Sequence, residues 1–135
     1  MTQEERELLI KDLCARLPYR VKVKCERYSF PVTILYAGDV NEVKFKETGG
    51  IEHIDVIKPY LRPMSSMTED EKKEYESFIF TQHHEWDGHG ISTKYVETDD
   101  VERYTTWLNK NMFDYRGLIE KGLALEAKEG MYGKI

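Results

Sequence analysis

Leu9, Leu13 and Leu17 recur every four residues, with Ile10 and Cys14 beside them, so the chain opens on one apolar helix face. Thr2 followed by Glu5 has the spacing of a capping box, in which two side chains satisfy free N–H groups at a helix start. Pro18 cannot continue a helix. The pattern predicts a helix over 3–16. The period then changes to two: Val21, Val23 and Cys25 alternate with Arg20, Lys22, Lys24 and Glu26, as in a half-buried strand. Val32 to Ala37 is a more continuous apolar run, which predicts a strand buried on both faces. Gly38-Asp39 is a turn signal. Val43 and Phe45 alternate with charged neighbours in a third strand, and Gly49-Gly50 breaks the chain again. Ile51, Ile54, Val56 and Ile57 suggest a fourth, interrupted strand. Pro59 and Pro63 enclose Tyr60-Leu61-Arg62, which predicts an extended crossover.

Beyond the crossover the helical period returns. Thr68 and Glu71 form a second capping-box pair. Tyr75, Phe78, Ile79 and Gln82 then share a face, predicting a helix over 69–82 with an acidic first turn that suits the helix dipole. Residues 84–98 lack a period; Asp87-Gly88-His89-Gly90 reads as loop and Ser92 to Val96 as a short strand. Asp99 or Asp100 can cap a third helix bearing Val101, Tyr104, Trp107, Leu108 and Met112. Asp114 can cap a last short helix with Leu118 and Ile119, stopped at Gly122. Leu123 to Ala127 can return as a strand, and the tail from Lys128 is expected to fray.

These elements define an α+β fold: an N-terminal helix, a small antiparallel sheet of three to five strands, and two or three C-terminal helices packed on it. The length of 135 residues suits a single domain over 1–135. Charge divides it. Residues 1–67 hold 11 basic and 10 acidic side chains, and residues 68–135 hold 9 and 15. A helix-plus-sheet layer over 1–63 is thus expected to share a core with an acidic helical layer over 68–127. The net charge of −5 argues against a protein whose whole surface clings to nucleic acid. The polar opening, Met1 to Glu7, has no signal-peptide pattern, and no apolar run reaches the ~18 residues of a membrane span. With Cys14 and Cys25 its only cysteines, the chain reads as a reduced, cytoplasmic protein without membrane contact.

Two segments have distinctive wording: Ile57-Lys58-Pro59-Tyr60-Leu61-Arg62-Pro63-Met64-Ser65-Ser66-Met67-Thr68, and the run from Trp107 to Ala124. With Leu13-Cys14-Ala15-Arg16-Leu17-Pro18-Tyr19 they resemble a family of small uncharacterised proteins of Bacteroidetes genomes, often encoded in prophages and other mobile elements. Residues 28–55 and 82–98 lie outside the resemblance. It implies a setting, an intracellular accessory protein of mobile-element origin, and no activity, cofactor or catalytic residue.

Candidate chemistry is sparse. His83, His84, Glu85, Asp87 and His89 could furnish a Zn²⁺ or Mn²⁺ shell and hence a metal-dependent hydrolase. Their spacing matches no established template, and a polar helix end running into a loop explains them as well. Arg20, Lys22 and Lys24 share one side of the first strand. Lys44 and Lys46 can share it from the third, with Tyr19, Tyr28 and Tyr36 as stacking surfaces, the composition of a single-strand binder. A solvated sheet face guarded by lysines is the plainer alternative. Arg62 and Arg116 each adjoin a tyrosine in a turn-rich motif. They are expected to pin irregular segments, with Asp114 or Asp55 as partners, or else to frame an anion pocket. Ser65 and Ser66 lack a nucleophile motif, and both cysteines sit at apolar-face positions expected of core thiols. No cofactor is implied. Trp86, Trp107, nine tyrosines and five phenylalanines are many for a chain of this size. Tyr75, Phe78, Tyr104 and Trp107 are expected to face the shared core, with an exposed groove among them as the alternative. A non-catalytic module binding an unidentified protein partner, or itself, is therefore the leading expectation, and a nucleic-acid or nucleotide binder comes second.

Overall fold

The computed structural model describes residues 1–37, 41–86, 88–97 and 101–132; over 79–86, 91–97 and at 101 that description is of the backbone. The first helix, α1 (Gln3–Arg16), has the expected capping box: the Glu5 amide donates to Thr2 Oγ1 and the Thr2 amide to Glu5 Oε1. A 3-10 turn at Leu17–Tyr19 follows, starting with Pro18 in its first turn.

The chain then builds strands β1 (Lys22–Cys25), β2 (Val32–Ala37), β3 (Glu42–Phe45), β4 (Ile51–His53) and β5 (Ile57–Leu61), with a 3-10 turn at Ile54–Val56 interrupting the last two. The apolar stretch of 51–57 is therefore interrupted, as its pattern suggests. The segment around Pro59 is a strand, not a crossover. Pro59 lies opposite Val23 in a central strand. The Glu26 amide donates to the Val56 carbonyl, which fixes the alternation and makes Val23–Pro59 a pair without ladder bonds. The missing proline donor is thus harmless on that side. After α2 (Glu69–Ile79), β6 (Phe80–Trp86), β7 (Ile91–Glu97) and α3 (Val101–Lys110), the chain returns as β8 (Leu125–Glu126).

The main sheet has six strands in the order β4-β3-β2-β1-β5-β8. It is antiparallel except for β5 and β8, which run parallel, so it is larger and more mixed than the sequence pattern suggests. The helix expected over 69–82 ends at Ile79, and the chain turns directly into the hairpin of β6 and β7. Pairing with a partner strand 11 residues on decides this, and a local helical period does not register it. Ser92 to Val96 lie in β7 as expected. The short helix around Leu118 is a run of turns instead, and α2 packs against α3, with α3 on α1. The expected turn at Gly38-Asp39 and the caps Asp99 and Asp100 lie outside the described residues.

Two apolar clusters form. The larger joins Leu9 and Leu13 of α1 to Val21, Val23, Cys25, Ile34, Phe45 and Leu61 of the sheet, and to Leu118 and Leu123. The smaller gathers Met67, Trp107, Leu108 and Phe113, with Tyr75, Phe78 and Tyr104 against them. Trp107 stacks between Tyr75 and Phe113, each ring centroid 5.6 Å away. Among the described residues no helix is long and apolar enough to cross a membrane.

Candidate functional site

The face of the sheet away from α1 is set by strand register. In β1, Val23 and Cys25 are buried in the core, so Lys22 and Lys24 project from the other side. Lys24 lies directly opposite Lys58 of β5, and Lys22 opposite Thr33 of β2. In β3, Val43 and Phe45 face the core and Lys44 does not. Lys46 continues that ladder by donating its amide to the Thr33 carbonyl. Lys22, Lys24, Lys44, Lys46 and Lys58 therefore converge on one face. Lys24, Lys46 and Lys58 are exposed, and none of the five ammonium groups forms an ion pair among the described residues.

Lys58 escapes a reading of the sequence because two prolines disguise the in-out alternation of Ile57, Pro59 and Leu61. Arg20 lies outside β1. It takes a left-handed conformation, φ 62°, at the end of the 3-10 turn, which ends the strand alternation before it. Beside the lysines, Glu47 clamps Thr33, accepting from its amide and its hydroxyl at 2.8 Å each. Burial pushes the Glu47 carboxyl up, but these hydrogen bonds outweigh it and hold the group below the usual range.

Near the other end of β2 the face turns apolar. A bulge between Ile34 and Tyr36 leaves Leu35 unpaired and 52% exposed. Tyr36, Lys44 and Ile51 then form a row across β2, β3 and β4, with Tyr36 48% and Ile51 53% exposed. β2 is accordingly buried on both faces only over its first half.

The two singled-out arginines are occupied by the protein's own carboxylates. Arg62 forms a fork onto Glu71, at 2.8 and 2.7 Å, with its guanidinium 4.1 Å from the Phe113 ring centroid. The hydrogen bond from Arg62 holds the Glu71 carboxyl below its usual range. Arg116 donates to Asp12 at 2.7 Å and lies over the Tyr115 ring. Neither guanidinium pairs with the carboxylate of Asp55 or Asp114, although the Asp114 amide donates to the Arg62 carbonyl. Asp55 pairs with Arg6, and Asp114 caps the turn beyond it, accepting from the Leu118 and Ile119 amides.

The histidine cluster falls largely outside the described residues: Asp87 wholly, and His83, His84 and Glu85 in their side chains. His83 and His84 are consecutive residues of β6, and His89 is exposed in the hairpin loop. Among the described residues no three His, Cys, Asp or Glu side chains converge as a metal shell. Cys25 is a core thiol as expected, whereas Cys14 is exposed, because the buried face of α1 is turned toward Asp12 and Arg16.

No protein-family model, curated protein or solved structure significantly matches this chain.

Proposed function

We propose that the protein is a non-catalytic binding module that takes a polyanion, single-stranded nucleic acid, on the open face of its main sheet. The observation that carries this reading is Lys24 directly opposite Lys58 with no carboxylate paired to either among the described residues. Like charges facing each other across strands destabilise a sheet. A row of phosphates relieves that repulsion, and counterion release then drives binding. The exposed ring of Tyr36, in line with Lys44, supplies a surface for a base to stack on. The aromatic residues of α2 and α3 stack on one another and so lend less weight to a docking surface there. The net charge of −5 makes long-range attraction weak, so affinity is local and strongly salt-dependent.

The test is fluorescence anisotropy with a labelled single-stranded oligonucleotide over a salt series. Binding that weakens with a log–log slope no steeper than about −3.5, and that is lost in a Lys24→Glu/Lys58→Glu double variant, supports the reading. Absence of binding at about 50 mM salt overturns it.

The exposed Leu35, Tyr36 and Ile51 favour a second reading, a protein partner or a second copy on the β2–β4 end. Sedimentation equilibrium that shows association, lost in Leu35→Ser/Ile51→Ser, would support self-association. An accessory role in a mobile element fits either reading.

A further inference from the structure

A tyrosine hydroxyl stands in place of one rung of the sheet. The register Val23–Pro59 and Lys24–Lys58 makes Lys22 and Tyr60 the next hydrogen-bonded pair of β1 and β5. Instead the Lys22 amide donates to the Tyr132 hydroxyl at 3.0 Å, and that hydroxyl donates to the Tyr60 carbonyl at 2.6 Å. As far as Tyr132, the tail expected to fray is thus a strap, and residues 133–135 lie outside the described residues. It leaves β8 through Ala127, whose amide donates to the Leu61 carbonyl. It reverses where the Met131 amide donates to the Lys128 carbonyl and Gly130 takes φ 80°. It ends with the Tyr132 ring against the larger core cluster. Burial pushes the Tyr132 phenol above its usual range, so it remains a donor. The strap also holds a lysine of the basic face: Lys22 Nζ donates to the Met131 carbonyl at 3.2 Å.

We infer that residues 127–132 are an autoinhibitory strap, and that the anionic ligand of the sheet face competes with it. This rests on the polyanion reading above. Two arrangements satisfy the same backbone groups. In the docked one the phenol bridges Lys22 and Tyr60. In the released one those two residues pair directly, so the Lys22 amide and the Tyr60 carbonyl keep a partner. Release frees the Lys22 ammonium from the Met131 carbonyl. A ligand that uses Lys22 binds only the released arrangement, and its apparent affinity is scaled by the released fraction.

The experiment uses Tyr132→Phe, which keeps the ring and removes only the bridging hydroxyl. Losing one intramolecular hydrogen bond raises the released fraction, so the variant should bind a single-stranded oligonucleotide roughly two- to tenfold more tightly than the parent chain. Hydrogen exchange supplies the second readout: saturating oligonucleotide should speed exchange of the 127–132 amides in the parent chain. If the parent binds, but the variant binds no more tightly and the 127–132 amides stay equally protected when ligand is bound, the strap is structural and the inference falls alone. If neither protein binds at low salt, the polyanion reading falls and takes the inference with it.

Discussion

Asp12 and Arg16, one turn apart on α1, form a bidentate ion pair with no side-chain surface exposed. The pair is the junction of the fold. Arg16 also donates to the Phe113 carbonyl at 2.8 Å, and Asp12 accepts a further hydrogen bond from Arg116 at 2.7 Å. One carboxylate thus ties the first helix to a loop a hundred residues away. Two guanidinium groups share it, and both lie over the Tyr115 ring. Arg16 Nη1 is buried with no hydrogen-bond partner among the described residues, and the guanidinium carbon lies 5.5 Å from the Tyr115 ring centroid, a favourable cation–ring contact.

Removing the shared carboxylate should be far worse than removing the whole pair. Asp12→Ala leaves two cations, one fully buried, without a counter-charge, and should cost about 3–5 kcal/mol. A double variant, Asp12→Leu/Arg16→Met, takes both ions of the pair out of the apolar interior and should recover much of that loss. Urea unfolding of the three proteins checks this. Equal losses in the single and double variants would show that the helix needs the ions themselves.

The second interior ion pair contributes to the acid sensitivity of the fold. The hydrogen bond from Arg62 first, and then those from Thr68, hold the Glu71 carboxyl below its ordinary value of 4.5. Its folded pKa is depressed, so its contribution to stability is fully present above that ordinary value and is lost as the pH falls through the folded one. Stability should therefore be flat toward pH 5 and decline below about pH 4.5. Glu71→Gln should lower the plateau and soften the decline. Melting temperatures of both proteins from neutral to acid pH test the sign: a parent whose stability rose on acidification would contradict it.

The elements that local rules control were legible in the sequence. Both capping boxes form with the expected partners, because the cap is a contact between residues three apart. Strands β1 and β3 follow their alternation. The interior ion pair was not legible, because a leucine stripe through residues 9, 13 and 17 draws the eye away from Asp12 and Arg16. Yet Leu9, Asp12, Leu13 and Arg16 follow the i, i+3, i+4, i+7 spacing of a buried helix face. Two opposite charges on that face, one turn apart, were the available signal. The tail was illegible for another reason. Tyr132 is held by Lys22 and Tyr60, 110 and 72 residues away, and no local pattern encodes such a contact. On the basic face, Lys22, Lys24, Lys44 and Lys46 could be named from alternation, whereas Lys58 needed the register of β5 against β1.

That register allows binding and stability to be separated with one substitution. Lys24→Glu places a carboxylate directly opposite Lys58 and turns a repulsive cross-strand pair into an attractive one. Both positions are exposed, so no buried group loses a partner. The change should leave stability equal or raise it by about 0.2–1 kcal/mol. Oligonucleotide affinity should fall, because one cation is lost and an anion replaces it beside the phosphates. The slope of log K against log salt should become shallower by at least about 0.7. Most surface substitutions that weaken a ligand leave the fold unchanged or weaken it as well. A variant that unfolds later yet binds less would mark the lysine pair as maintained for a ligand against the interest of the sheet. Unchanged affinity with raised stability would instead mean that the facing lysines serve only to keep the sheet face solvated.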